Sequence, residues 1–252
     1  MLLIGCWMLA FLPHPGLHGQ SSPAAAEELI TDRPDFTESA RVVPYGRMQL
    51  ESGFTWMRVN AERVEWGAPE LLARWGILPM LELRFNCPDR IWERNGQDRS
   101  GFGDASVGAK LQLPSPGRDW NLAAIVAVSL PSGDRNFSSG AADPELVLVW
   151  GRELSDRWSY GGQVAGAWLT EDGVRQFNWS TSAVFGCDLG GDWGTFFEIM
   201  VDVPHAGGTG VLLHHGYTRQ FRGPVQLDVH GGLGLNDAAP DAFIGFGFST
   251  RF

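Results

Sequence analysis

The residues best suited to chemistry in this chain are ionisable groups that recur at even spacing. Glu82 and Arg84 lie two positions apart, and Asp104 and Lys110 share one parity. In an extended strand, residues of one parity project to one face, so these four make a set of opposite charges wherever their segments are neighbours. The same parity rule collects Glu51, Glu70, Arg74, Gln163, Glu198, Asp202, Asp228 and Arg251. Confined to one face, such a set has two uses: it lines an aqueous path, or it pairs off into a closed wall with no path.

Other candidate chemistry thins out on inspection. His214, His215, Asp228 and His230 carry metal-ligand types, but consecutive residues of a strand point to opposite faces. That leaves His214 and His230 with Asp228, a poor match to the four-coordinate geometry of a structural zinc site, so satisfied or solvated histidines are expected, with no metal and no cofactor. A hydrolase on an outward barrel face needs Ser and Asn beside its His. Around His215 that face offers Thr195, Phe197, Ile199, Val201, Val225, Leu227 and Val229, which lack a nucleophile and its partner, so no enzyme is expected. Gly101-Phe-Gly103 is too short for a phosphate loop and opens a strand.

The elements that must position these charges are strands. Ala242 to Phe252 alternates strictly: Ala242, Ile244, Phe246, Phe248, Thr250 and Phe252 on one face, Gly245, Gly247, Ser249 and Arg251 on the other. The pattern recurs back to residue 47 in segments of about ten residues, the signature of transmembrane strands. The expected segments are 47–57, 64–75, 80–87, 102–113, 120–130, 144–154, 158–169, 176–188, 193–203, 209–221, 225–235 and 242–252. The expectation is an all-β fold: a single closed antiparallel transmembrane β-barrel of about twelve strands over residues 47–252.

Composition agrees with that class. The 252 residues include 33 Gly and 11 Trp, and only 19% are charged. No apolar run after the amino terminus is long enough for a membrane helix. A formal net charge of -10 disfavours a nucleic-acid partner. Short turns at 155–157, 190–192 and 222–224 contrast with long connections at 88–101 and 131–142, as in barrels whose short turns face the periplasm. Trp120, Trp158 and Trp193 each open a strand after a short turn, and Trp168 and Trp179 lie near far ends, so they are expected to form two interface girdles in membrane lipid. Cys87 and Cys187 fall on strands that are not neighbours, which excludes a disulfide between them.

The amino terminus reads differently. Residues 1–26 resemble the apolar core and small-residue cleavage region of a secretory signal, with a buried helix as the other reading. Residues 27–46 form a polar extension on the periplasmic side. Its Asp32, Arg33 and Asp35 are candidates for a plug in the periplasmic mouth, pairing with wall charges such as Arg74 or Arg84, or for a loose tail.

A family resemblance is carried by Ile30-Thr-Asp-Arg-Pro-Asp-Phe-Thr-Glu-Ser39 and Val43-Pro-Tyr-Gly-Arg-Met-Gln-Leu-Glu-Ser-Gly-Phe54, followed in order by strings at 65–76, 101–110 and 129–134. Together these resemble the outer-membrane transporter family named for the meta-pathway of phenol degradation, over residues 30–252. The resemblance implies a barrel in the cell outer membrane passing small, hydrophobic or aromatic, molecules, and it supplies no catalytic residue. The alternative kept from the charge pattern is a structural barrel with a closed ion-paired interior. The expected partners are outer-membrane lipid, a small-molecule cargo, and the barrel-assembly machinery through the C-terminal strand ending on Phe252.

Overall fold

The computed structural model describes residues 29–117, 119–221 and 223–252; the expected secretory segment 1–26 lies outside them. Fifteen strands follow in chain order: β1 (Met48–Arg58), β2 (Arg63–Ala68), β3 (Leu72–Leu78), β4 (Leu81–Asn86), β5 (Arg90–Asn95), β6 (Gln97–Phe102), β7 (Ala105–Leu113), β8 (Trp120–Leu130), β9 (Asp143–Glu153), β10 (Trp158–Glu171), β11 (Val174–Gly190), β12 (Trp193–Val203), β13 (Gly210–Phe221), β14 (Val225–Gly234) and β15 (Ala242–Arg251). Each pairs antiparallel with its neighbours in one sheet, and β15 returns to β1 from Gln49↔Arg251 to Arg58↔Ala242. The sheet has closed into a barrel of twelve staves.

Fifteen strands make twelve staves because three staves are interrupted. The single strand expected over 64–75 is two: Val64–Gly67 pairs with the upper part of β1, and Leu72–Trp75 pairs with its lower part. Pro69 sits at the break, and a residue without an N–H cannot donate to the ladder. Glu70 N donating to Gly53 O at 3.0 Å keeps the wall joined there. Pro88 interrupts β4 and β5 in the same way, while Gly103-Asp104 separates β6 from β7.

The stretch 88–101 is therefore not the open loop its length implied. It is a hairpin, β5 against β6, turning at Gly96 with φ of 68°. Asp104 is corrected with it: it precedes β7 and stands outside the Glu82–Arg84–Lys110 ladder. Its carboxylate instead accepts backbone N–H groups of Ser132, Gly133 and Ser139, tying down the connection at 131–142. The connection at 131–142 stays a long one, while β10 and β11 run beyond the expected segments to a tight turn at Asp172-Gly173.

Parity sorts the side chains. Val126, Phe197 and Phe246 point outward at 55%, 58% and 59% exposure, a level that would be costly in water for so many large apolar groups and is natural against lipid. Inward, the same alternation places Glu51, Glu82, Lys110 and His214 at 0%. Those groups are shut off by residues 29–44, which run through the barrel interior.

Candidate functional site

A segment that is neither helix nor strand must find partners for its backbone N–H groups elsewhere. The wall supplies them as carboxylates. Glu51 accepts from Asp32 N and Arg33 N, the closer contacts at 2.9 Å; Glu198 accepts from Phe36 N at 2.8 Å and Thr37 N at 2.7 Å; Glu82 accepts from Val43 N at 2.7 Å. Gln163 joins them, taking Glu38 N at 2.9 Å and donating to Phe36 O at 2.8 Å. Hydrogen bonds to charged groups are worth about 1.5–3 kcal/mol each, so the whole segment is held far more strongly than any one of its side chains.

Three faces of the barrel grip three plug residues. On the β3–β4–β7 face, Asp32 accepts from Lys110 at 2.7 Å, lies 3.2 Å from Arg74, and pairs with Arg84. Arg74 in turn bridges Glu51 at 2.8 Å and Glu82 at 2.9 Å, and Arg84 holds both oxygens of Glu38 at 2.9 Å. Burial by itself would push the Asp32 carboxyl up, but Arg74, Lys110 and Arg84 outweigh it and hold it well below the ordinary carboxylate range.

On the β8–β9–β10 face the interior carries an apolar patch beside Gln163: Ala123, Ile125, Val147, Val149 and Ala165 are buried and pack around Ala40 of the plug. On the β12–β15 face the Phe36 ring lies 4.7 Å from His214 and 5.6 Å from Phe243. His214 bridges Glu198 at 2.8 Å and His230 at 3.0 Å. Both imidazole nitrogens of His214 are thereby engaged, and no group of three metal-ligating residues occurs among the described residues. His215 faces outward, stacked on Phe197 at 4.2 Å.

The remaining sequence candidates fall as follows. Glu70 sits in the β2–β3 break and pairs with Arg33 at 2.9 Å, and Asp228 lies 3.4 Å from Arg33. Asp202 has inward parity near the end of β12 and is exposed; Arg251 is inward and buried at 8%. Asp35 faces the cavity at the short-turn end, where burial and the neighbouring Glu198 push its carboxyl well above the usual range. Trp158, Trp193, Trp168 and Trp179 are 40–52% exposed on the outer surface. Arg152 lies over Trp120 at 5.4 Å, and Arg219 over Trp193 at 5.0 Å. Cys87 and Cys187 are free thiols.

Sequence reasoning missed Phe36, Thr37, Glu38 and Ala40 as plug contacts and the apolar inner patch. The lone Phe36 in a polar string was the available signal. It also missed a row of outward indoles at the break-bearing end, Trp56, Trp66 and Trp92, in register across β1, β2 and β5.

Two larger cavities flank the plug, and smaller ones of about 260 and 350 Å³ lie along it. One of the larger pair, of about 640 Å³, opens at the short-turn end and is bordered by Thr31, Arg33, Asp35, Asp188, Thr218 and Gln226. The other, of about 670 Å³, opens at the opposite end beside Glu70, Asp89, Asp104, Phe137, Asp143 and Leu169.

An alternating-face closed barrel with a coil threaded through its lumen defines a fold of the outer-membrane β-barrel type. Residues 31–252 match the family described as "Putative MetA-pathway of phenol degradation", and the chain belongs to it. Among solved structures, an outer-membrane channel from Pseudomonas putida F1 superposes with a TM-score of 0.63 at 12% identity, covering 85% of this chain and 98% of that one. The KdgM porin gives 0.57 at 9% identity, covering 81% and 99%. The translocator domain of the autotransporter NalP from Neisseria meningitidis gives 0.55 at 10%, covering 82% and 87%. These likenesses are of fold. No curated protein matches the sequence.

Proposed function

We propose that this protein is a passive outer-membrane channel for small molecules, with residues 29–44 as its internal plug. The observation that carries the reading is the pair of cavities, about 640 and 670 Å³, that lie on the two sides of the plug and share Arg33 as a lining residue. A closed structural barrel has no use for open chambers at both ends. The family description, which names phenol degradation, supports small aromatic molecules as cargo. Passage is passive and involves no covalent step. The short-turn end faces the periplasm, lipid meets the aromatic girdles, and the strand leading to Phe252 is the element presented to the barrel-assembly machinery.

Removal of the plug tests the reading. A refolded chain lacking residues 27–44 is expected to conduct ions in planar bilayers severalfold better than the full chain, and to admit a small phenolic probe faster into liposomes. Two barrels that both migrate as folded, heat-modifiable species yet show no conductance would establish the closed structural barrel instead.

A further inference from the structure

The plug is not uniformly held. Asp32 is buried against three cations, and wall carboxylates accept the backbone amides of Asp32, Arg33, Phe36, Thr37 and Val43. The Arg33 side chain is held much less tightly. Its partners are Glu70 at 2.9 Å, Asp228 at 3.4 Å and a His230 ring nitrogen at 3.4 Å, and its Nε has no partner at all. Glu70, its closest partner, lies in the β2–β3 break and is 27% exposed.

Two features single out this side chain. Among the described residues, Arg33 alone borders both cavities. Its guanidinium also lies flat on Gly53 and Gly247, which face each other across β1 and β15; a Cβ on either would collide with it. The absence of side chains on this patch of wall makes room for a flat cation.

We propose that Arg33 is the specificity-determining gate of the channel: its guanidinium leaves the Gly53–Gly247 seat while the rest of the plug stays docked, joining the two cavities. This rests on the channel reading above and deepens it. Either cavity has room for the displaced side chain. The opened aperture is floored by glycine backbone and flanked by the carboxylates of Glu70 and Asp228, so it passes small neutral molecules and cations in preference to anions.

The test separates side-chain motion from plug departure. Thr37 Oγ1 lies 2.6 Å from Ser182 Oγ, so a Thr37→Cys/Ser182→Cys pair, in a background of Cys6→Ala, Cys87→Ala and Cys187→Ala, would tether the plug to the wall on oxidation. In the tethered full chain, Arg33→Ala is expected to raise single-channel conductance severalfold and to shift the reversal potential in a potassium chloride gradient toward cation selectivity. Gly53→Ala, whose added Cβ would meet the Arg33 guanidinium and so lifts it from its seat without removing it, is expected to act in the same direction by less. Should Arg33→Ala fail to fold, Gly53→Ala and Arg33→Lys carry the same measurement. Conductance that appears only after the disulfide is reduced, a tether that does not form, or Arg33 variants that conduct like the parent would each overturn the gate. Silence in every variant, the plug-deleted chain included, would sink the channel reading itself.

Discussion

The two sides of the barrel interior hold the same plug by opposite means. Across β1, β3, β4 and β7 the wall is a lattice of Arg74, Glu82, Arg84, Lys110 and Glu51 closed on Asp32 and Glu38. Across β8, β9 and β10 it is a small apolar patch that seats Ala40. The charged side also carries the stave breaks, whereas β8 to β10 are unbroken. The contrast teaches where specificity and tolerance lie. Ion pairs fix position, because a buried charge that loses its partner is strongly penalised. Methyl groups are forgiving, since their contacts are short-ranged and non-directional.

The sharpest break of that contrast is on the charged side. Arg74→Met leaves Glu82 and Glu51 without their main partner, and a loss of about 3–5 kcal/mol in barrel stability is expected, read as the shift in urea unfolding followed by tryptophan fluorescence in liposomes. Adding Glu82→Gln should restore part of it. A loss no larger than that of a surface substitution would mean that water solvates this lattice and that it does not seat the plug.

On the apolar side the expected effect is smaller. Ile125→Val removes one methylene from the patch around Ala40, at a cost of about 0.5–1.5 kcal/mol in the same unfolding measurement. A cost equal to that of Arg74→Met would erase the distinction between the walls.

The smallest effect is on pH and concerns Asp35, on the plug between these walls. Its carboxyl is raised in the docked state by burial and by Glu198. Docking therefore binds a proton: its contribution is fully present below the ordinary Asp value of about 3.9 and is lost as pH rises through the raised value. Asp35→Asn should flatten the pH dependence of protease cleavage in the plug over that range. An unchanged pH profile would place the titration elsewhere.

Much of the barrel was legible without coordinates because a period of two is a local property. Alternation alone sorted Val126 and Phe246 outward and Glu82, Arg84 and Lys110 inward, and it required closure, since lipid tolerates no open sheet edge. The breaks were less legible. Pro69 and Pro88 were visible as residues unable to donate to a ladder, but whether the chain leaves the sheet there or resumes it depends on the pairing partner, which for β2 and β3 is the distant β1. Asp104 was misassigned for that reason.

By itself the sequence determined the class of wall, the faces and the family, all encoded in residue type and spacing along the chain. Only the tertiary structure decided where residues 29–44 go. The string Thr31-Asp-Arg33 is a coil with no periodicity of its own, so nothing local distinguishes a tail from a plug; its destination is set by carboxylates on β1, β4 and β12 that converge only when the barrel closes. The seat of Arg33 is of the same kind, because Gly53 and Gly247 become neighbours only through the β1–β15 seam.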